Sequence, residues 1–141
     1  MKTYSATTVI NASPEAIWKI LVDAPRYPEW DPGTLKIEGS IAPGEKFKAF
    51  AKASPGRAFP VKVAGFDPPR SMVWTGGMPL GLFKGVRTFT LTPSAAGKTD
   101  VRVEEVFSGL LSGLIIKSLP DFDKIFAEFL EGLKKRAEAG G

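Results

Sequence analysis

The stretch Asp121-Phe122-Asp123-Lys124-Ile125-Phe126-Ala127-Glu128-Phe129-Leu130-Glu131-Gly132-Leu133 decides the architecture. Phe122, Ile125, Phe126, Phe129, Leu130 and Leu133 recur at helical period on one face. Lys134, Lys135 and Arg136 fall in the last turns, where cations suit a helix C-terminus, and Gly140-Gly141 follows. Upstream, Ser118-Leu119-Pro120-Asp121 reads as a helix start, with Ser118 or Leu119 at the cap and acids in the first turn. So broad an apolar face must lie against something, and a sheet is the only partner large enough.

The rest of the chain supplies that sheet. Residues 3–12, rich in Thr, Val and Ile, predict a first strand. Ser13-Pro14-Glu15 then opens a helix, with Ser13 as cap and Pro14 at the first helical position. Ile17, Trp18, Leu21 and Val22 form its apolar stripe, and Pro25 stops it. Residues 25–33 hold three prolines around Tyr27 and Trp30, which predicts a compact irregular segment or a short helical turn. Strand-like runs follow at about 34–41, 45–53, 58–66, 70–76, 82–92 and 99–108, separated by turn signals such as Pro43-Gly44, Pro55-Gly56, Pro68-Pro69 and Ala96-Gly97. Short turns between neighbouring strands predict a meandering antiparallel sheet. The fold class is therefore α+β: a curved seven-stranded antiparallel sheet wrapped around a long C-terminal helix, with two short helices after strand 1.

Composition bounds the chemistry. The chain has 141 residues, which predicts one domain over 1–141 with a proper core. It contains no cysteine and no histidine, which removes disulfides, thiolate and imidazole nucleophiles and the usual zinc ligands. No metal and no cofactor is expected. Nineteen basic against fifteen acidic residues give a net charge of +4, a mild excess that does not by itself indicate nucleic acid. No apolar run reaches membrane-span length and the first residues carry no export-type apolar run, so integral membrane association is not expected and a cytoplasmic location is.

Strand alternation picks out a face for a site. In 82–92 one face carries Phe83, Gly85, Arg87, Phe89 and Leu91; in 99–108 the matching face carries Val101, Val103, Glu105 and Phe107. If these strands form a hairpin around 93–98, paired positions sum to about 192, so Arg87 faces Glu105. An inward arginine needs a carboxylate, because an unpaired buried charge costs several kcal/mol. The pair is either a self-satisfied structural bridge or a device that orients the polar end of a ligand. Glu105 is the weak candidate for catalysis, and a neighbouring guanidinium argues against it as a base. Trp30, Trp74 and Phe83 are candidate aromatic walls, with core packing as the plainer alternative. Tyr27 is expected to pack, and Asp31 before Pro32 to serve a turn.

Three further features carry alternatives. Gly76-Gly77, Pro79 and Gly81 predict a mobile loop over 76–82 at the cavity mouth. Lys46, Lys48, Lys52, Arg57 and Lys62, interleaved with Phe47, Phe50 and Phe59, mimic a nucleic-acid surface, but the lysines share one parity, as a solvated strand face does. Leu110-Leu111-Ser112-Gly113-Leu114-Ile115-Ile116 predicts a short helix that packs on the sheet edge or serves as gate, membrane-touching patch or dimer surface.

Ser13-Pro14-Glu15-Ala16-Ile17-Trp18 with Tyr27-Pro28-Glu29-Trp30-Asp31-Pro32 resembles the opening of the polyketide cyclase/dehydrase branch of the START-like (SRPBCC) superfamily. Met72-Val73-Trp74, Arg87 to Pro93, Glu105 to Leu111 and the closing Leu133 to Glu138 are similar to the same branch. The resemblance implies the helix-grip fold, with a hydrophobic cavity between sheet and helix that Trp30, Trp74, Phe83, Arg87, Phe89, Glu105, Phe107, Phe122 and Phe126 would line. It implies binding of a small hydrophobic molecule, a lipid or aromatic polyketide-like compound, by a monomer or weak homodimer. Alternatives are a metal-free cyclase or dehydratase in the same cavity and a chaperone-associated module of the Hsp90-activator type. Fold alone does not choose among them.

Overall fold

The computed structural model describes residues 1–140. Strand β1 (Lys2–Ile10) leads to α1 (Pro14–Leu21), a 3-10 turn at Ala24–Arg26 and α2 (Tyr27–Trp30). Strands β2 (Thr34–Gly39), β3 (Lys46–Ala51), β4 (Ala58–Asp67), β5 (Ser71–Met78), β6 (Phe83–Pro93) and β7 (Thr99–Ser108) follow, then α3 (Ser112–Ile116) and α4 (Phe122–Glu138). The α+β arrangement read from the sequence is the observed one.

The strands form a seven-stranded antiparallel sheet in the order β1-β7-β6-β5-β4-β3-β2. Register shifts between Thr34 and Lys36 in β2 and between Val63 and Gly65 in β4 bend it, as an unpaired extra residue does. The curved inner face holds Met72, Phe89, Leu91, Val101 and Val103, buried under Phe126, Phe129, Leu130 and Leu133 of α4.

At the helix starts, local chemistry decides the geometry. The Ser13 hydroxyl accepts from the Ala16 N–H at 3.2 Å, with Pro14 and Glu15 in the first turn of α1. At α4 the cap is Asp121, whose carboxylate accepts from the Asp123 and Lys124 N–H groups. The expected cap at Ser118 or Leu119 is thus corrected. The Ser118 hydroxyl is engaged with the Ile115 carbonyl at 2.8 Å, closing α3 instead.

An edge strand leaves backbone groups unpaired, and here α4 covers them. Asp123 accepts from the Ser5 N–H at 3.3 Å, Lys134 Nζ donates to the Val9 carbonyl at 2.7 Å, and Glu138 accepts from the Asn11 N–H at 2.9 Å. These contacts fix α4 along β1. They also hold Glu138 below the ordinary carboxylate range, first through its hydrogen bond from Lys134.

The expected loop over 76–82 is shorter. Gly76 pairs with Gly85, Gly77 with Lys84 and Met78 with Phe83, so β5 continues to Met78 and the turn is confined to 79–82. Both glycines mark close approach rather than a loop: a Cβ on Gly76 would lie 3.0 Å from the Pro60 carbonyl oxygen, and one on Gly77 would collide with that of Phe83.

Candidate ligand-binding site

The β6–β7 register places Arg87 opposite Glu105, Phe89 opposite Val103 and Leu91 opposite Val101, as the alternation predicts. Arg87 Nε donates to Glu105 Oε1 at 2.6 Å. Glu105 is buried and Arg87 half-buried, its side chain 27% exposed. The guanidinium carbon lies 4.9 Å from the Phe126 ring centroid and 5.9 Å from that of Trp74. The cation is therefore held between sheet and α4 by one carboxylate and two aromatic faces. Gly85 makes room for this: a Cβ there would sit 2.6 Å from Glu105 Oε2.

Arg87 stands between two aromatic clusters. Toward β2, Trp30 packs on Tyr27 at 4.6 Å and Phe129 at 5.1 Å, while Trp74 packs on Phe89 at 4.6 Å and Phe47 at 4.9 Å. Toward β1, Phe107 meets Phe83 at 5.4 Å, Phe122 at 5.2 Å and Tyr4 at 5.9 Å, and Phe122 continues to Phe126 at 5.6 Å. Trp30 and Trp74 thus share one wall, and Phe83 belongs to the other. Phe83 and Phe122 are half-buried; Phe89, Phe107 and Phe126 are buried.

The interior polar groups separate into engaged and orphaned. The Tyr27 hydroxyl donates to the Leu21 carbonyl at 2.6 Å, and burial, followed by the Asp31 charge, pushes its pKa well above the phenolic range. Asp31 accepts from the Gly33 N–H at 3.0 Å and the Thr34 hydroxyl at 2.6 Å, the turn role read for it. Burial raises its pKa against those two hydrogen bonds and the charges of Arg87 and Lys52. Glu105, Tyr27 and Asp31 therefore each carry a structural partner. The indole N–H groups of Trp30 and Trp74, by contrast, are buried without an acceptor among the described residues. A buried donor left unsatisfied costs about 1–3 kcal/mol. No periodicity in the sequence flags them, because the signal is an absent acceptor.

Asp31 yields a pH prediction. A carboxyl with a raised folded pKa binds its proton on folding, so its ionisation opposes folding. That opposition is fully present above the folded pKa and disappears below the unfolded one. The stability of Asp31→Asn relative to wild type is therefore expected to rise as the pH climbs from about 4, the ordinary carboxylate value, and to level off once the raised folded value is passed. Urea titrations across that range check it; a difference that falls with pH contradicts the account.

The open space lies elsewhere than between sheet and α4. A cleft of about 420 Å³ runs between α1, the 3-10 turn and the last turns of α4, lined by Lys19, Ile20, Asp23, Arg26, Trp30 and Arg136 among others. Aromatic rings occupy the space between sheet and helix in this structure. In the basic β3–β4 region Lys46, Lys48 and Lys62 are exposed on one face together with half-buried Phe50, whose ring centroid lies 4.6 Å from Lys36 Nζ, while Phe47 turns into the core against Trp74. No helix among the described residues is long and apolar enough to cross a membrane.

Residues 1–138 match the family model described as polyketide cyclase / dehydrase and lipid transport. Among solved structures, the hypothetical protein jhp0584 of Helicobacter pylori superposes with a TM-score of 0.80 at 13% identity, over 96% of this chain and 88% of that one. Protein MLL2253 of Mesorhizobium loti gives 0.76 at 21%, over 99% of each chain. The Zhui aromatase/cyclase of Streptomyces sp. R1128 gives 0.76 at 16%, over 99% of this chain and 98% of that one. At these identities the likeness is one of fold. No curated protein matches the sequence.

Proposed function

The chain belongs to the polyketide cyclase/dehydrase and lipid transport family, and on that premise we propose that it binds one small, largely apolar molecule carrying a carbonyl or carboxylate, between sheet and α4. The observation that carries this reading is the pair of orphaned indole donors, Trp30 and Trp74, in an otherwise apolar interior, with the Trp74 ring centroid 5.9 Å from the Arg87 guanidinium carbon. An acceptor oxygen on the guest would satisfy a buried N–H, and the rings of Phe89, Phe107 and Phe126 would supply the apolar walls. Arg87 spends its Nε on Glu105, which leaves the outer edge of the guanidinium fork to the guest. The half-buried rings of Phe83 and Phe122 are the ones that move to admit it.

Binding is favoured over turnover by the same geometry. A cyclase or dehydratase wants a carboxyl or phenol released from structural duty. Glu105, Tyr27 and Asp31 are each committed.

Native mass spectrometry of gently purified protein, with organic extraction of whatever leaves it, identifies the ligand class. A direct test titrates 2-naphthoic acid into wild type and Arg87→Met/Glu105→Leu, following tryptophan fluorescence. The double variant removes both charges at once and so keeps the fold. Its affinity is expected to fall about tenfold, the loss of one charge-assisted contact. Equal affinities in the two proteins overturn the role given to Arg87.

A further inference from the structure

The turn between β5 and β6 presents a leucine in an unusual way. Leu80 and Gly81 have φ of 62° and 69°, and the Leu82 N–H returns to the Pro79 carbonyl at 3.3 Å. Two consecutive left-handed residues make the mirror-image turn that Asn-Gly favours and a leucine resists. The strained side chain is not buried for its trouble: Leu80 is 91% exposed.

It has company. The Leu110 N–H donates to the Gly81 carbonyl at 3.1 Å and the Leu111 N–H to the Leu82 carbonyl at 2.7 Å, which ties the segment entering α3 to the turn. Leu110 is 84% exposed, Leu114 72% and Met78 45%. Scattered exposed apolar residues need no explanation, but a joined group of four at one end of a molecule does.

The segments that build the tip carry only positive charge, with Asp121 and Asp123 following at the start of α4 beside Phe122. Residues 71–98 and 106–120 contain no Asp or Glu, and exposed Lys84 and Lys117 flank the apolar tip. We propose that this end is a docking surface for an anionic lipid bilayer, with Leu80, Leu110 and Leu114 entering the interface and the two lysines at the headgroups. A second copy of the chain suits the tip less well, since residues 71–98 and 106–120 offer lysines and no carboxylate to pair with them. Docking by this end sets the Phe83–Phe107–Phe122 cluster, and so the mouth of the sheet–helix space, against the membrane. The inference goes beyond the proposed binding function and does not depend on it, because vesicle binding is read without a ligand.

The test is co-sedimentation with vesicles of phosphatidylcholine alone and of phosphatidylcholine mixed with phosphatidylglycerol. Wild type is expected to sediment with the mixed vesicles, less with the neutral ones, and less again as salt is raised. Leu80→Asn/Leu114→Ser is expected to bind the mixed vesicles about tenfold more weakly. Asn suits the left-handed turn, so this variant keeps its fold, which its melting temperature verifies. Failure of wild type to bind the mixed vesicles overturns the proposal, and so does unchanged binding by the double variant. A concentration-dependent dimer in analytical ultracentrifugation that the double variant abolishes would assign the tip to a second copy instead.

Discussion

Gly132→Ala is expected to lower stability by about 3 kcal/mol, at the upper end of what overpacking a tight contact costs. Propensity alone predicts the opposite sign, since alanine in a helix interior is favoured over glycine by about 1 kcal/mol. The structure reverses it. A Cβ on Gly132 would land on the Trp30 carbonyl oxygen, well inside contact distance, with Pro32 Cδ at 3.5 Å on the far side. The colliding atom is backbone and cannot rotate away. Relief requires α4 to lift from α2, which would also loosen the ring contacts of Trp30 with Phe129 and Tyr27. Thermal unfolding checks this: a fall of roughly 10 °C is expected for a chain of this size. A rise would mean that α2 yields at no cost.

Gly132 also marks the limit of what the residues reveal in order. The helical stripe from Phe122 to Leu133 is legible because period alone carries it, and the Arg87–Glu105 register is legible because strand alternation is strict and the connecting turn is short. The start of α4 is not, because Ser118 and Asp121 are both competent caps, and the choice follows from α3, whose last carbonyls claim Ser118. Gly76 and Gly77 read as a loop because glycine serves turns and close approaches alike; only the neighbouring strands distinguish the two uses. The filling of the interior is the least legible feature. Which rings fill a space depends on how Trp30, Trp74, Phe89 and Phe129 turn against one another, and no pattern of single residues encodes that. The orphaned indole N–H groups belong to the same class of information.

Glu105→Leu is expected to destabilise the chain by about 3 kcal/mol, the lower end of the cost of stranding one partner of a buried ion pair. Arg87 keeps partial access to water, which holds the figure at that end. Arg87→Met alone strands a carboxylate that is more deeply buried than its partner, so it is expected to cost at least as much. Arg87→Met/Glu105→Leu should cost far less than the two single changes together, and the shortfall in a double-mutant cycle measures their coupling. Gly85→Ala reports on the same pair from a third position, because its Cβ would crowd Glu105 Oε2 at 2.6 Å and Phe107 Cε1 at 3.2 Å. Urea unfolding of wild type, the two single variants and the double variant supplies the numbers; additive losses would mean that the two side chains do not depend on each other. The cycle also separates two reasons for having charges in an aromatic chamber. If the pair served only to hold the sheet together, an apolar replacement would serve as well, and the double variant would match wild type both in stability and in its affinity for 2-naphthoic acid. Near-native stability joined to a tenfold weaker affinity is the outcome that assigns the pair to the guest, since a guanidinium tethered through Nε by Glu105 is stabilised in place while its outer edge stays open to a second oxyanion.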